Sequence, residues 1–215
     1  GTAAQETPGV EARSIAVLPF VNMSADPEQE FFSDGLSEEI LNLLAQIRDL
    51  KVIGRTSSFA FKGRNEDLRT IGHTLGVAHL LEGSVRKAGN DLRITAQLIE
   101  VEGGSHLWSQ TYDRKLENVF AIQSEIAASI AQALKINLVD AGQAAPVAQA
   151  AASLPAYDRF LQARRLMQGR TRDGIEAARK LLDEALVLDP DYAPALAAQA
   201  QVIMFLRSGA AAYGD

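Results

Sequence analysis

The chain has 215 residues, of which 47% are hydrophobic, 22% charged and 6% aromatic, with a net charge of −6 and no cysteine. A disordered chain is excluded, as are disulfides, thiolate nucleophiles and zinc–thiolate sites. The acidic balance, with no basic run longer than pairs such as Arg86-Lys87 and Arg164-Arg165, excludes a phosphate-neutralising nucleic-acid face in this segment.

Residues 1–13 are polar and read as a linker. The chain opens on Gly1, so any export signal or membrane anchor is expected upstream of it. No run of about 18 apolar residues offers a membrane span. Ser14 to Phe20 (SIAVLPF) predicts a buried strand, with Pro19 at its exit. Asp26-Pro27 starts a helix carried by Leu36, Ile40, Leu43, Leu44 and Ile47, and Gly35 is expected to separate a first turn from the main helix. Leu50 to Arg55 reads as a second strand. A Ser/Thr loop at Thr56-Ser57-Ser58 follows it.

Leu68, Ile71 and Leu75 predict a second helix closed by Gly76. Three extended stretches come next: Ala78 to Lys87, Leu92 to Val101 and His106 to Leu116. Gly89-Asn90-Asp91 and Gly103-Gly104 lie between them as hairpin turns. Asn118 is expected to cap a long helix with the stripe Val119, Ile122, Ile126, Ile130 and Leu134. The order β-α-β-α-β-β-β-α over residues 14–140 predicts an α/β (α+β) domain: a mixed five-stranded sheet with packed helices. Residues 141–154 read as a linker or helix extension. Residues 155–215 read as an all-α segment, with helices at Tyr157 to Gln168, Asp173 to Leu188 and Ala193 to Leu206.

The blocks IAVLPFVNMSADPEQEFFSDGLSEEI, VIGRTSSFAFKG and LGVAHLLEGSVRKAGNDLRITAQLIEVEGGSHLWSQTYDR resemble the TolB amino-terminal-like domain of bacterial regulators. In that family the domain follows an adenylate/guanylate cyclase, a CadC-type winged helix or a protein kinase. The resemblance implies an α/β unit without catalytic residues, and hence binding or relay. Ala178, Leu182, Ala185 and Pro190 fall at the spacing of a tetratricopeptide (TPR) second helix, with Ala163 and Ala200 at the small positions of neighbouring helices. That likeness implies an incomplete TPR array whose concave face takes a protein or peptide partner.

The loop residues Arg55, Thr56, Ser57, Ser58 and Lys62 are candidates for a small-anion site, since backbone amides, hydroxyls and a cation together can hold a phosphate. The alternative is a capping loop that satisfies its own backbone. Trp108 and Tyr112, four apart on one strand, are candidates for an interaction surface with Tyr157 and Arg164; the alternative for the aromatics is core packing. His73, His79 and His106 lie on separate elements, so neither a metal site nor a cofactor is expected. Glu38-Glu39 read as solvated neighbours, and no catalytic residue is assigned. The expected role is a non-enzymatic sensor or relay module of a larger signalling protein, periplasmic or, alternatively, cytoplasmic, taking a small-molecule or protein ligand. The alternative is a scaffold that homodimerises through its sheet edge and helices.

Overall fold

A run of β-branched and small apolar residues forms the central row of the sheet, and Pro19 divides it. β1 (Ser14–Val17) is buried at all four residues. The computed structural model describes residues 10–136 and 153–212, with side chains through 207. Leu18 still donates its N–H to the Leu81 carbonyl at 2.8 Å, but Pro19 has no donor and the ladder stops. The freed Phe20 N–H goes instead to Ser37 Oγ at 2.8 Å, inside the first helix. The row resumes as β2 (Val21–Asn22), paired with Ser84 and Val85. Among the described residues the sheet therefore has six strands, not the five expected, because a two-residue strand gives no periodic signal.

Asp26 caps a short 3₁₀ turn by accepting the Glu28 N–H, and α1 (Glu30–Ala45) continues from it unbroken through Gly35. β3 is confined to Lys51–Val52. Arg55, expected at a strand end, instead starts a helix, α2 (Arg55–Phe59), so Thr56-Ser57-Ser58 is helical and not a loop. The Gly54 carbonyl, which receives the N–H groups of Ser57 and Ser58, turns the chain there. α3 (Leu68–Leu75) is capped by Asp67 and closed by Gly76 at φ +64°, as expected. β4 (His79–Ala88), β5 (Asp91–Glu100) and β6 (His106–Lys115) form the antiparallel meander, and β1 lies parallel to both β3 and β4. Asn118 precedes α4 (Val119–Ala133) but makes no side-chain cap; the 3₁₀ turn Leu116–Asn118 leads the chain in.

One face of the sheet, with Val17, Leu81, Ile94, Leu98 and Tyr112, is covered by α1 and α4. The other, with Ala16, Leu18 and Leu80, is covered by α3 through Ile71. Thr95 and Gln97 of β5 and Ser109 and Thr111 of β6 leave the rest of that face polar, as an antiparallel sheet allows.

Of the expected linker 141–154, all but the last two residues lie outside the described residues. Ser153 caps α5 (Leu154–Gln168), and Thr171 caps α6 (Arg172–Leu188) by receiving the Gly174 N–H. α7 runs Ala193–Ala212. Ala163, Ala178, Leu182 and Ala185 are fully buried, so the small residues let α5 and α6 approach closely. The segment has no core of its own, however: one apolar cluster runs from Ile15 in the sheet to Val202 in α7. In place of a separate all-α segment, α5 packs on α1 and carries α6 and α7.

Candidate functional site

α5 docks on the sheet unit through a single stripe. Tyr157, Leu161 and Arg164 recur at helical spacing and all face α1. Tyr157 is buried; its ring meets Phe32 and Phe120 edge-on, and its hydroxyl receives the buried Gln123 amide at 2.9 Å. Burial, and after it the nearby Glu39 charge, drives the phenol pKa well above its ordinary value, against the Gln123 hydrogen bond. Leu161 sits where a side chain at Gly35 would otherwise be. Arg164 ends the stripe, and its two terminal nitrogens bind Glu38 and Glu39 separately. Arg55 reaches Glu38 from the opposite side, Nε to Oε2 at 3.1 Å, with its guanidinium 4.0 Å above the Phe59 ring.

These four charged side chains form the floor of a cleft of about 1150 Å³. α1 and α2 make one wall, and α5 and α7 the other, with Phe160, Met167 and Phe205 as its apolar surface. Asn42, Gln46, Gln168 and Gln201 add carboxamides at the rim. Glu39 has its pKa raised, first by burial and then by Glu38, with Arg164 opposing the shift. Tyr192 is raised too, chiefly by burial; it stacks edge-on to Phe160 at 5.3 Å. The two carboxylates face guanidiniums rather than a nucleophile, so the geometry holds charge in place.

Arg55 and Thr56 lie in this cleft, but the five residues of the expected anion loop do not converge. Ser58 is buried, Ser57 is exposed, and Lys62 turns to Asp34, with both N–O distances 2.6 Å, and to Glu30 at 2.7 Å. An anion beside α2 would compete with those carboxylates. Tyr112 and Tyr157 are core residues, not contact surface, and Trp108 is half-buried against the core. Arg164 is only 20% exposed, a clasp rather than a free contact residue. Glu38 and Glu39, read as solvated, are the residues sequence reasoning missed. The available signal was a cation on the apolar stripe of α5, which requires an acidic partner.

A second cavity, of about 550 Å³, lies at the foot of the sheet and is lined by Arg13, His73, His79 and Glu100 among others. His79 Nδ1 is 3.1 Å from the Ser14 carbonyl, and burial lowers its pKa. Among the described residues no cluster of three or more His, Asp or Glu could hold a metal ion.

No family model matches the chain. It is 43% identical over 195 residues to a Rhizobium meliloti (strain 1021) protein named "Putative adenylate cyclase 3". That match covers 90% of this chain, which spans about a third of the relative's length. Among solved structures, TolB from Acinetobacter baumannii is similar over 58% of this chain and 28% of its own, with a TM-score of 0.45 at 17% identity. A lipoprotein from Neisseria meningitidis covers 56% of this chain and 95% of its own, with a TM-score of 0.42 at 18% identity. The C-terminal domain of LpoB from Salmonella enterica covers 52% and 87%, with a TM-score of 0.38 at 15% identity. None of the helices among the described residues is long and apolar enough to cross a membrane.

Proposed function

We propose that this chain is a non-catalytic regulatory module of a larger bacterial signalling protein. It takes a protein or peptide partner in the cleft between α1/α2 and α5/α7, and passes that event to its host through α1. The observation that carries the reading is the docking of α5 on α1 by Tyr157, Leu161 and Arg164. Whatever fills the cleft touches helices of both halves, and α1 packs directly on the sheet. A relay needs such a rigid connection, because coupling between sites travels through packed elements. The cleft offers apolar rings for side chains and carboxamides that both donate and accept, as a peptide backbone does.

The 43% identical relative with a cyclase name favours a cyclase as the output domain over a winged helix or kinase. In this reading the output domain lies upstream and the module is extracytoplasmic. The TPR likeness of α5–α7 belongs to the same proposal, supported by the small buried residues at Ala163, Ala178 and Ala185.

The test selects binders from a displayed random-peptide library on the 215-residue chain and on Ala197→Trp. Ala197 is exposed on the cleft wall, so tryptophan there fills the space without entering the core. Peptides that bind the chain and lose affinity for Ala197→Trp are the expected result. Binders indifferent to the substitution, or no binders, would refute the cleft.

A further inference from the structure

β6 is the outer strand of the sheet among the described residues, and from Trp108 to Lys115 its outer side is a regular hydrogen-bonding edge. The Leu116 N–H donates to the Asn90 carbonyl at 2.9 Å, which makes Asn90 and Leu116 a hydrogen-bonded pair at the end of the β5–β6 ladder. Antiparallel pairs alternate between bonded and non-bonded. With Leu92 opposite Arg114, Ile94 opposite Tyr112 and Leu98 opposite Trp108, the even-numbered residues of β6 from Trp108 to Arg114 direct their backbone groups at β5. The N–H and C=O groups of Ser109, Thr111, Asp113 and Lys115 therefore point away from the sheet. In keeping with this, the Asp113 carbonyl accepts from Arg114 Nη1 at 3.1 Å. All four residues are exposed, and no strand among the described residues lies on that side of β6.

Edges of this kind are normally shortened, covered, bulged, charged or interrupted by proline. β6 runs ten residues, HLWSQTYDRK, with neither proline nor glycine; its bulge lies at Leu107, ahead of the regular stretch from Trp108, and its charges cluster at Asp113, Arg114 and Lys115. The opposite margin of the sheet, β3, is only two residues long. A β6–β3 contact between copies would have almost nothing to pair with, whereas β6 against β6 has a whole strand.

We propose that this edge pairs antiparallel with the same edge of a second copy, about a two-fold axis through Thr111. In that register Thr111 faces its own copy, Ser109 faces the second copy's Asp113, and Trp108 faces the second copy's Arg114. Thr–Thr and Ser–Asp are hydrogen-bonding cross-strand pairs, and Trp–Arg is a cation–π pair. An axis at Gln110 would set Leu107 against a carboxylate and His106 against a guanidinium. An axis at Asp113 would set carboxylate on carboxylate. Thr111 gives the longer overlap without such pairs. The pairing uses the free β6 edge of both copies, so it closes as a dimer and does not propagate.

The chain has no cysteine, so single cysteines report the register cleanly. Across a bonded antiparallel pair the Cα atoms lie about 5.5 Å apart, within disulfide reach. Thr111→Cys is therefore expected to oxidise to a covalent dimer. Ser109 and its own copy would be roughly 13 Å apart along the strand, so Ser109→Cys is expected to stay uncross-linked. Thr111→Pro removes an outward N–H and leaves the β5 ladder intact. Analytical ultracentrifugation of the 215-residue chain at high micromolar concentration is expected to give a dimer, and Thr111→Pro a monomer with unchanged circular dichroism. A wild-type monomer at every concentration, a dimer that folded Thr111→Pro leaves intact, or cross-linking at Ser109 and not at Thr111 would overturn the proposal. If Thr111→Pro fails to fold, the cysteine pair decides.

Discussion

Substituting Gly35 and Leu161, singly and together, measures whether the helices and the sheet share one core. An added Cβ at Gly35 would lie 2.5 Å from Leu161 Cδ2 and 2.9 Å from Cδ1. Leu161 is 1% exposed and has little room to yield. Gly35→Ala in a helix interior gains about 1 kcal/mol of helix propensity, against about 1–3 kcal/mol of overpacking, for a net loss of about 1 kcal/mol. Leu161→Ala leaves a cavity and is expected to cost about 3 kcal/mol. In the double variant the methyl groups that clash are gone, so the propensity gain returns and the cost falls to about 2 kcal/mol. Independent effects would give about 4 kcal/mol, so the coupling is about 2 kcal/mol, within the range for residues in contact. Urea unfolding reads this out, because the single tryptophan, Trp108, lies on β6 and reports the sheet, while far-ultraviolet circular dichroism reports the helices. Leu161→Ala should shift both transitions equally. A Trp108 midpoint left in place while the helical signal moves would refute the shared core, and a double variant no more stable than Leu161→Ala would refute the contact.

Arg164→Ala is expected to cost roughly 2–3 kcal/mol near neutral pH, less than a fully buried pair because the guanidinium keeps some solvent. The penalty should shrink on acidification, since burial holds the Glu39 pKa up and a protonated Glu39 no longer needs its cation; denaturant melts at two pH values check it, and a pH-independent penalty would contradict the argument. Tyr157→Phe leaves the buried Gln123 amide without its acceptor and should cost about 1–3 kcal/mol with little change in volume, measurable by thermal or urea melts. His79 has its pKa lowered in the fold, so the unfolded chain takes up a proton that the native state resists. Stability is then complete above about pH 6.5 and is lost as pH falls below it. His79→Asn, which keeps a donor for the Ser14 carbonyl, should flatten that part of the pH–stability curve; an unchanged slope would count against His79 as its source.

The local order of the α/β unit was legible in the sequence. Alternation through Leu92, Ile94, Ala96 and Leu98, the stripe from Val119 to Leu134, and Gly76 at a helix end each specify an element by periods and backbone constraints that act within a few residues. The small residues Ala163, Ala178 and Ala185 marked the close approach of α5 and α6 in the same way. What the sequence could not set was where these surfaces meet. β2 is two residues long and pairs with β4 only after Pro19 breaks the ladder and the Phe20 N–H turns to Ser37. α2 takes Arg55 out of the expected strand and turns it to Glu38, and in the turn after α2 Lys62 meets Asp34. The Glu38–Glu39 pair reads as solvated in isolation, and Tyr157 as a candidate surface aromatic. Tyr157 became interior, and the two carboxylates partly buried and paired, once α5 lay across Gly35, because burial and charge pairing depend on elements more than a hundred residues apart in the chain. The cleft follows from that docking, so only the tertiary structure could place it.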